Sequence, residues 1–222
     1  MINGKLFFSS PCSFNDPNEF RLRFKAPSSI LETKSKFFRD NPSATQSDWK
    51  DWYRSVDWDN WYSSIEPSLQ DDLLSKFSVC CFSTMPQSTA MWGHYANNHT
   101  GVCVAFTPAV YDIPDMVACS PVKYSKVLPY ADYFTESDED IIIKTFFNKE
   151  HIWKYESEVR LVRSGAAALV TINKNFIHGL IVGLRASPET VEFARTIASE
   201  HGIKVFQCVK QPGHYDLAHV AL

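Results

Sequence analysis

Residues 179–210 read GLIVGLRASPETVEFARTIASEHGIKVFQCVK, and this stretch decides the fold of the C-terminal part of the chain. The apolar run at its start predicts a strand. Ser187 suits an N-cap and Pro188 the first helical position, so a helix is expected to begin there and to end at Gly202. A second apolar run follows. The stretch therefore predicts a strand–helix–strand unit, and because Gly183 opens no GxGxxG pattern, the unit lacks a dinucleotide fingerprint.

Further towards the N-terminus, residues 28–77 predict a helical insertion. Trp49 and Trp52 share one face at helical spacing, and Trp58 and Trp61 share a second face that is out of phase with the first. Two helices, or one bent helix, with a break near Asp57 would account for both stripes. We expect these tryptophans to fasten the insertion to the rest of the protein.

Short apolar runs elsewhere predict strands that are spread along the chain, among them Lys5–Ser10, Ser78–Ser83 and Gly101–Thr107. Asp138–His151 predicts a helix, and Glu158–Arg163 a strand directly after it. The sequence therefore predicts an α+β fold in one domain, residues 1–222. We expect a central mixed or mainly antiparallel sheet, the helical insertion and the C-terminal strand–helix–strand unit.

Composition excludes several classes of protein. With 25 acidic and 22 basic side chains the net charge is −3, which does not favour duplex binding through a broad basic face. Neither a transmembrane segment nor a signal peptide is predicted, because no apolar run has the required length. The 6 cysteines mostly lie in apolar runs and form no CxxC pair, which favours buried thiols in a reducing cytoplasm over a zinc cluster.

The segment Glu156-Ser157-Glu158-Val159-Arg160 is the first candidate for chemistry. Two carboxylates two positions apart at the start of a strand are expected to project to the same side. Holding them close raises one pKa, which is a way to make acid and base groups. A solvated strand edge, with Glu158 paired to Arg160, is the alternative interpretation. Lys149, Trp153 and Tyr155 lie just upstream.

The segment from Met91 to Ala96 is the second candidate. Trp92, His94 and Tyr95 could form a binding wall, with His94 as a hydrogen-bond donor or proton carrier. The alternative is a core helical turn with one satisfied histidine.

The segment from Asn15 to Glu19 is the third candidate. Asn15 and Asp16 could bind a metal or a sugar hydroxyl, although such residues more often satisfy the backbone of their own turn.

Taken together, the motifs resemble an uncharacterised bacterial domain-of-unknown-function family. Its pattern of FNDPfE, MWxHYA..HxGvC, WxYExEvR and GxxxG motifs corresponds here to Leu6–Glu19, Cys81–Phe106, Lys149–Leu161 and Ile177–Ala186. Members of that family usually have a further strand before the first motif. In this sequence the motif begins almost at Met1, which is expected either of a naturally short protein or of a truncated start.

The layout also resembles a distant ADP-ribosyltransferase-like fold, which implies NAD as substrate and an unknown protein or nucleic acid as acceptor. On this resemblance the protein is a toxin or a phage-defence effector, Glu158 is the catalytic carboxylate, and Glu156 activates or orients the acceptor. His94 is included among the catalytic residues. Contacts to NAD are implied for Phe8, Trp92 and Tyr95 at the nicotinamide, for Ser9, Ser10 and Asn15 at ribose hydroxyls, for Lys149 and Arg160 at the pyrophosphate, and for Asp16, Trp153 and Tyr155 around them.

Two other functions stay open at this point. Asp16, Glu156, Glu158 and Lys149 could serve a metal-dependent nuclease, with paired acids holding Mg²⁺. A non-catalytic binding or regulatory module of a defence or toxin system would instead use the Trp-rich insertion, and it requires Trp58 and Trp61 to be solvent-exposed. The enzyme hypothesis requires Glu158 to share one cleft with the other two motifs, specifically with Ser9, Trp92, His94 and Tyr95.

Overall fold

The computed structural model describes residues 4–113 and 115–222, apart from the side chain of Asp112. In chain order the strands are β1 Lys5–Phe8, β2 Arg23–Phe24, β3 Phe77–Ser83, β4 Val102–Phe106, β5 Met116–Pro121, β6 Lys123–Ser125, β7 Tyr130–Ala131, β8 Asn148–Glu150, β9 Glu158–Ser164, β10 Ala168–Thr171, β11 Ile177–Val182, β12 Lys204–Lys210 and β13 Leu217–Ala221. The α-helices are α1 Ile30–Asp40, α2 Gln46–Ser55, α3 Glu66–Ser75, α4 Thr89–Tyr95, α5 Asp138–Phe146 and α6 Pro188–His201.

The predicted α+β class is confirmed. Within the described residues, however, the strands lie in several small sheets of two to four strands, and not in one central sheet. Antiparallel pairs predominate, and the parallel pairs are β2 with β7, β6 with β8, and β11 with β12. The short strands and frequent chain reversals explain why the pairing divides in this way.

A three-stranded antiparallel sheet lies beneath the candidate site, in the order β3-β9-β5. The middle strand β9 is buried along most of its length, since Leu161 and Val162 are fully enclosed. A β-bridge between Ser9 and Val79 connects this sheet to the β1–β10 pair, with Ser9 N–H donating to the Val79 carbonyl at 2.8 Å. The end of β1 is thereby fixed beside β3.

The C-terminal unit agrees with the sequence prediction. Helix α6 begins after Ser187, whose hydroxyl accepts the Thr190 N–H at 3.3 Å, and it ends at Gly202 with φ +64°. Its apolar face packs on the parallel strands β11 and β12. Strands β4 and β13 complete this four-stranded sheet.

The helical insertion also agrees with the prediction. It contains α1, α2 and α3, and the expected break follows α2, where short turns of 3₁₀-helix (Trp58–Asn60) and π-helix (Trp61–Ile65) intervene. Trp61 is only 3% exposed and donates from Nε1 to the Phe24 carbonyl at 3.1 Å. Together with Leu22, Phe24 and Phe134 it forms a core cluster that joins the insertion to α5. The tryptophans therefore do fasten the insertion.

The helix predicted for Asp138–His151 is too long at its C-terminal end. Helix α5 ends at Phe146, and the next residues form strand β8, which pairs with β6 so that Tyr124 lies opposite Lys149. The helical periodicity of the segment is local, whereas this pairing needs a strand more than twenty residues earlier. The change from helix to strand directs Lys149 to the candidate site.

Two smaller findings concern the cysteines and the membrane. Cys12 and Cys119 are exposed, contrary to the expectation of buried thiols, whereas burial raises the pKa of Cys80 to about 12. In the part of the chain that the structure describes, we find no helix with the length and apolar character needed to cross a bilayer.

Candidate functional site

Five charged side chains, Glu19, Lys149, Glu156, Glu158 and Arg160, meet above the β3-β9-β5 sheet, and we call them the ionic cluster. Lys149 Nζ lies 3.0 Å from Glu158 Oε1 and 3.3 Å from Glu19 Oε2, and it also contacts Glu156 Oε2. Arg160 donates to Glu19 at 2.7 Å and from Nε to Glu158 at 2.7 Å. All five are buried, so the three carboxylates and the two cations interact with little screening by solvent.

Arg160 is the anchor of the ionic cluster. It lies on the central strand β9 and is 0% exposed. Its Nη1 donates to the Phe146 carbonyl at the end of α5, at 2.8 Å, and its guanidinium lies 4.9 Å from the centre of the Phe20 ring. A buried guanidinium is costly unless carboxylates pair with its charge. This explains why both Glu19 and Glu158 bond to Arg160.

The two carboxylates of the Glu156–Glu158 segment converge by a route that the sequence did not indicate. Glu156 ends a 3₁₀-helix (His151–Glu156), Glu158 begins β9, and Ser157 between them has a left-handed backbone with φ +45°. The two carboxylates do lie on one side, as expected, since both contact Lys149, but this left-handed turn and not strand alternation places them there. The alternative of a solvated edge is wrong, because Glu156 is 1% and Glu158 9% exposed, whereas the pairing of Glu158 with Arg160 that it included is present.

Two tyrosines contact the carboxylate pair. The Tyr95 hydroxyl donates to Glu156 Oε1 at 2.5 Å, although the Tyr95 residue itself is 57% exposed at the end of α4. On the other side, the Tyr124 hydroxyl accepts the backbone N–H of Glu158 at 2.9 Å. Tyr95 thus connects the buried carboxylate directly with the protein surface.

Further aromatic side chains surround Tyr95, and we call His94, Tyr95, Trp153 and Tyr155 the aromatic rim. The His94 and Tyr155 rings are stacked with centres 5.8 Å apart, and Trp153 lies 6.1 Å from Tyr155. The Trp153 ring also lies 4.9 Å from Lys149 Nζ. Its Nε1 is enclosed and has no hydrogen-bond partner among the described residues. The aromatic rim therefore places flat ring faces, and the unpartnered Nε1 donor of Trp153, next to the ionic cluster.

The environments of Glu156 and Glu158 shift their pKa values in opposite directions. Burial raises the pKa of Glu156 above its ordinary 4.5, and the contacts from Lys149 and Tyr95 only partly oppose this. Burial acts in the same sense on Glu158, but Arg160 and Lys149 outweigh it and lower its pKa. The carboxylates in turn raise the pKa values of Lys149 and Arg160, so both cations stay charged. Two neighbouring acids with separated pKa values can divide the roles of proton carrier and permanent anion.

One comparison with known proteins covers part of the chain that forms this site. Residues 91–161 match the family model described as Protein of unknown function (DUF2971). The predicted resemblance to a domain of unknown function is thus confirmed over this range. The DUF2971 match includes Tyr95, Lys149, Glu156, Glu158 and Arg160, whereas Glu19 lies outside it. Neither a curated protein nor a solved structure matches the chain.

Two aromatic residues predicted for the site lie elsewhere. Phe8 is fully buried in a core cluster with Leu6, Val110 and Leu161. Trp92, inside the DUF2971 range, is buried against Ile181, and its Nε1 donates to the Pro86 carbonyl at 2.7 Å. Both rings are packing residues, because the strand and helix that carry them turn these positions inward. His94 and Tyr95, on the next positions of α4, face outward.

The polar residues of the first motif also lie apart from the carboxylate pair. Ser9 bonds through its backbone to Val79, and Ser10 accepts the Ser13 N–H at 3.0 Å in the following turn. Asp16 Oδ1 accepts the Asn18 N–H at 2.8 Å, and Asn15 is exposed. These contacts satisfy backbone hydrogen bonds of the turn itself, which is the usual role of such residues.

Glu19 and Tyr124 are contacts that sequence reasoning did not select. Glu19 is the last residue of the first motif and reaches both cations of the ionic cluster. Its position in the same motif as Asn15 and Asp16 was a usable signal. No comparable signal marks Tyr124, which is placed by the β6–β8 pairing.

The cleft that the enzyme hypothesis requires is formed only in part: Tyr95 contacts the carboxylate pair and His94 lies beside it, whereas Trp92 and Ser9 do not join them. The requirements of the two alternative functions can be compared with the structure in the same way. Asp16, required by the nuclease hypothesis, is not part of the ionic cluster. Among the described residues no group of three or more His, Cys, Asp or Glu side chains is arranged to hold a metal ion. Trp61 is buried and Trp58 is half-buried against it, so the exposed surface proposed for a binding module is not formed by this pair.

Proposed function

We propose that this chain is an ADP-ribosyltransferase-like enzyme that consumes NAD and modifies a protein or nucleic acid acceptor. One observation carries the proposal. Glu156 and Glu158, with pKa values shifted in opposite directions, lie beneath the exposed side of Tyr95 and the other rings of the aromatic rim. Enzymes that cleave glycosidic bonds commonly use two carboxyl groups that differ in protonation state.

Glu158 suits the role of the permanent anion. When nicotinamide leaves NAD, the bond from its ring nitrogen to ribose C1′ breaks, the electron pair goes to the nicotinamide, and positive charge develops on the ribose. A carboxylate that stays ionised stabilises that charge and can accept a hydrogen bond from the ribose 2′-hydroxyl. Arg160 and Lys149 keep Glu158 ionised and hold it in place.

Glu156 suits the role of the base. The acceptor attacks C1′ through an oxygen or nitrogen, and its proton must go to a nearby group. A carboxylate with a raised pKa takes up a proton more readily than an ordinary one. Tyr95 orients Glu156 through the 2.5 Å hydrogen bond.

The aromatic rim supplies contacts for the leaving ring. Nicotinamide in NAD is a flat cation, so the ring faces of Tyr95, Tyr155 and His94 suit it by stacking and cation–π attraction. The unpartnered Nε1 of Trp153 is a donor for the carboxamide oxygen. Because Arg160 is fully buried and already bonded, we assign it to positioning Glu158 and no longer to the pyrophosphate.

Access to the carboxylates depends on Tyr95. Glu156 is covered and Glu158 nearly so, whereas Tyr95 is mostly exposed. We infer that rotation of the Tyr95 ring, which breaks its hydrogen bond to Glu156, admits the substrate to the carboxylate pair.

The test is release of nicotinamide from NAD and transfer of radiolabelled ADP-ribose to protein, DNA and RNA acceptors. The intact protein is expected to form at least one of these products, and NAD is expected to raise its melting temperature. Glu158→Gln is expected to abolish turnover. Glu200→Gln, at an exposed site of α6, is the matched control and is expected to keep full activity.

Loss of folding in Glu158→Gln would make that variant uninformative, so circular dichroism accompanies each assay and Tyr155→Ala, at a half-buried rim position, serves as a second variant. Tyr155→Ala is expected to raise the KM for NAD. Absence of nicotinamide release and of labelled product with every acceptor contradicts the proposed function.

A further inference from the structure

A second cavity, of about 480 Å³, lies outside the ionic cluster. On one side it is bounded by Leu184 and Arg185, which follow β11. On the other side lie Lys210 and the loop that joins β12 to β13. Thr89 and His99 complete the lining. A cavity of this size accommodates a small organic ligand.

The cavity lies at the C-terminal end of two parallel strands. Strands β11 and β12 are parallel and are joined by helix α6. Most of the residues that line the cavity lie at or just after the C-terminal ends of these two strands. In sheets with parallel strands, ligands bind at that end, because the loops there can vary without disturbing the core.

The charge of the lining favours an anion. Arg185 and Lys210 are exposed, and no residue that the structure describes forms an ion pair with either of them. Asp216 is the single acidic residue of the lining. Two cations without ion-pair partners in the lining of one cavity can both bind a phosphate group.

His99 adds a fixed polar group. Its backbone N–H donates to the Trp92 carbonyl at 3.1 Å, and its carbonyl accepts the Arg185 N–H at 2.9 Å. It also lies so close to Gly183 that a Cβ there would approach the His99 carbonyl oxygen to 2.2 Å. Within the described chain its ring Nδ1 is enclosed and lacks a hydrogen-bond partner. A buried polar atom without a partner is uncommon and is consistent with a ligand that supplies one.

The remaining lining is apolar or aromatic. Leu184, Pro212 and Leu217 contribute apolar surface, and Tyr215 is 98% exposed with its ring uncovered. A large aromatic side chain left uncovered at the edge of a cavity suits a flat ring in a ligand.

We infer that this cavity binds a nucleoside phosphate, with the phosphate between Arg185 and Lys210 and the base against Tyr215. The inference does not depend on the proposed NAD activity, because it concerns other residues and is tested by binding alone.

The experiment is titration of the full chain with ADP, adenosine and inorganic phosphate in a calorimeter. ADP is expected to bind most tightly. Replacing both Arg185 and Lys210 by Gln is expected to weaken the binding of ADP at least about tenfold, because two charge-assisted contacts are lost. The affinity for adenosine is expected to stay unchanged. Tyr215→Ala is expected to weaken the binding of both ADP and adenosine.

The matched control replaces Arg195 and Lys174, both exposed and outside this cavity, by Gln, and it is expected to bind ADP as the unchanged protein does. Glu158→Gln is likewise expected to keep ADP binding, which separates this site from the ionic cluster. Three results would overturn the inference: equal ADP affinity in the Arg185 and Lys210 double variant and the unchanged protein, loss of ADP binding in a Glu158→Gln variant that circular dichroism shows to be folded, or no ADP binding up to about 1 mM.

Discussion

The guanidinium of Arg160 donates at 2.7 Å to the carboxylate of Glu19, a residue 141 positions earlier in the chain, and both side chains are buried. This contact ties the turn after β1 to the middle of the β3-β9-β5 sheet. It also completes the set of carboxylates around the two cations. The integrity of the candidate site should therefore be measurable as stability of the fold.

Replacing Arg160 by Met is expected to lower the free energy of unfolding by about 3 to 5 kcal/mol, because Glu19 and Glu158 would stay buried with one cation fewer. Urea denaturation measures this change. Arg195→Met, at an exposed position of α6, is the control and is expected to shift the free energy by less than about 0.5 kcal/mol. Equal effects of the two substitutions would refute a structural role for the buried pair.

The opposite pKa shifts predict two pH dependences of stability. The pKa of Glu156 is raised, so its contribution is present below 4.5 and is lost as the pH rises through the raised pKa. The pKa of Glu158 is lowered, so its contribution is present above 4.5 and is lost as the pH falls through the lowered pKa. Urea titrations between about pH 3 and pH 8 should show that Glu156→Gln removes the first dependence and Glu158→Gln the second. For each variant, the free energy of unfolding is compared with that of the unchanged protein. If the difference does not change with pH, the pKa shift assigned to the replaced glutamate is contradicted.

Tyr95→Phe is expected to lower the free energy of unfolding by about 1 kcal/mol, because Glu156 loses its hydroxyl donor while the ring itself is mostly exposed. The same substitution is expected to raise the pKa of Glu156 further, since the hydrogen bond from Tyr95 lowers it. Carboxyl resonances in an NMR pH titration report this shift. Tyr215→Phe is the control, as Tyr215 is almost fully exposed; a similar loss of stability there would remove the significance of the Tyr95 contact.

Ser157→Gly is expected to raise the free energy of unfolding by up to about 1 kcal/mol, because a left-handed backbone is costly for a residue with a Cβ and not for glycine. Ser157→Val is expected to lower it, since β-branching makes that conformation worse. Thermal denaturation of the two variants provides the comparison. If glycine and valine have the same effect, the turn between the two carboxylates does not carry this strain.

The sequence predicted those parts of the fold that depend on neighbouring residues. Helix α6 has its N-cap, its proline and its terminal glycine within its own length, and its apolar face follows from spacing alone. The break after α2 likewise follows from the phase of the two tryptophan stripes. Such signals do not depend on the rest of the chain.

The candidate site was only partly predictable, because its contacts join distant segments. Glu156, Glu158 and Lys149 were selected from one segment, but the role of Glu19 depends on a contact across 141 positions. The inward orientation of Phe8 and Trp92 is decided by packing, which aromatic composition alone cannot distinguish from ligand binding. The left-handed Ser157 has no marker, since serine gives no sign of that conformation.

The count of charges in the ionic cluster has a further consequence. Three carboxylates face two cations, so the fully ionised cluster has one negative charge in excess. At a pH below the raised pKa of Glu156 a proton on this carboxylate balances it, and on the proposed function the cationic nicotinamide ring can balance it instead. NAD would then bind by exchange, with a proton released to solvent as the ring arrives. Calorimetry in buffers with different ionisation enthalpies should detect that released proton, and Glu156→Gln should bind NAD without releasing it.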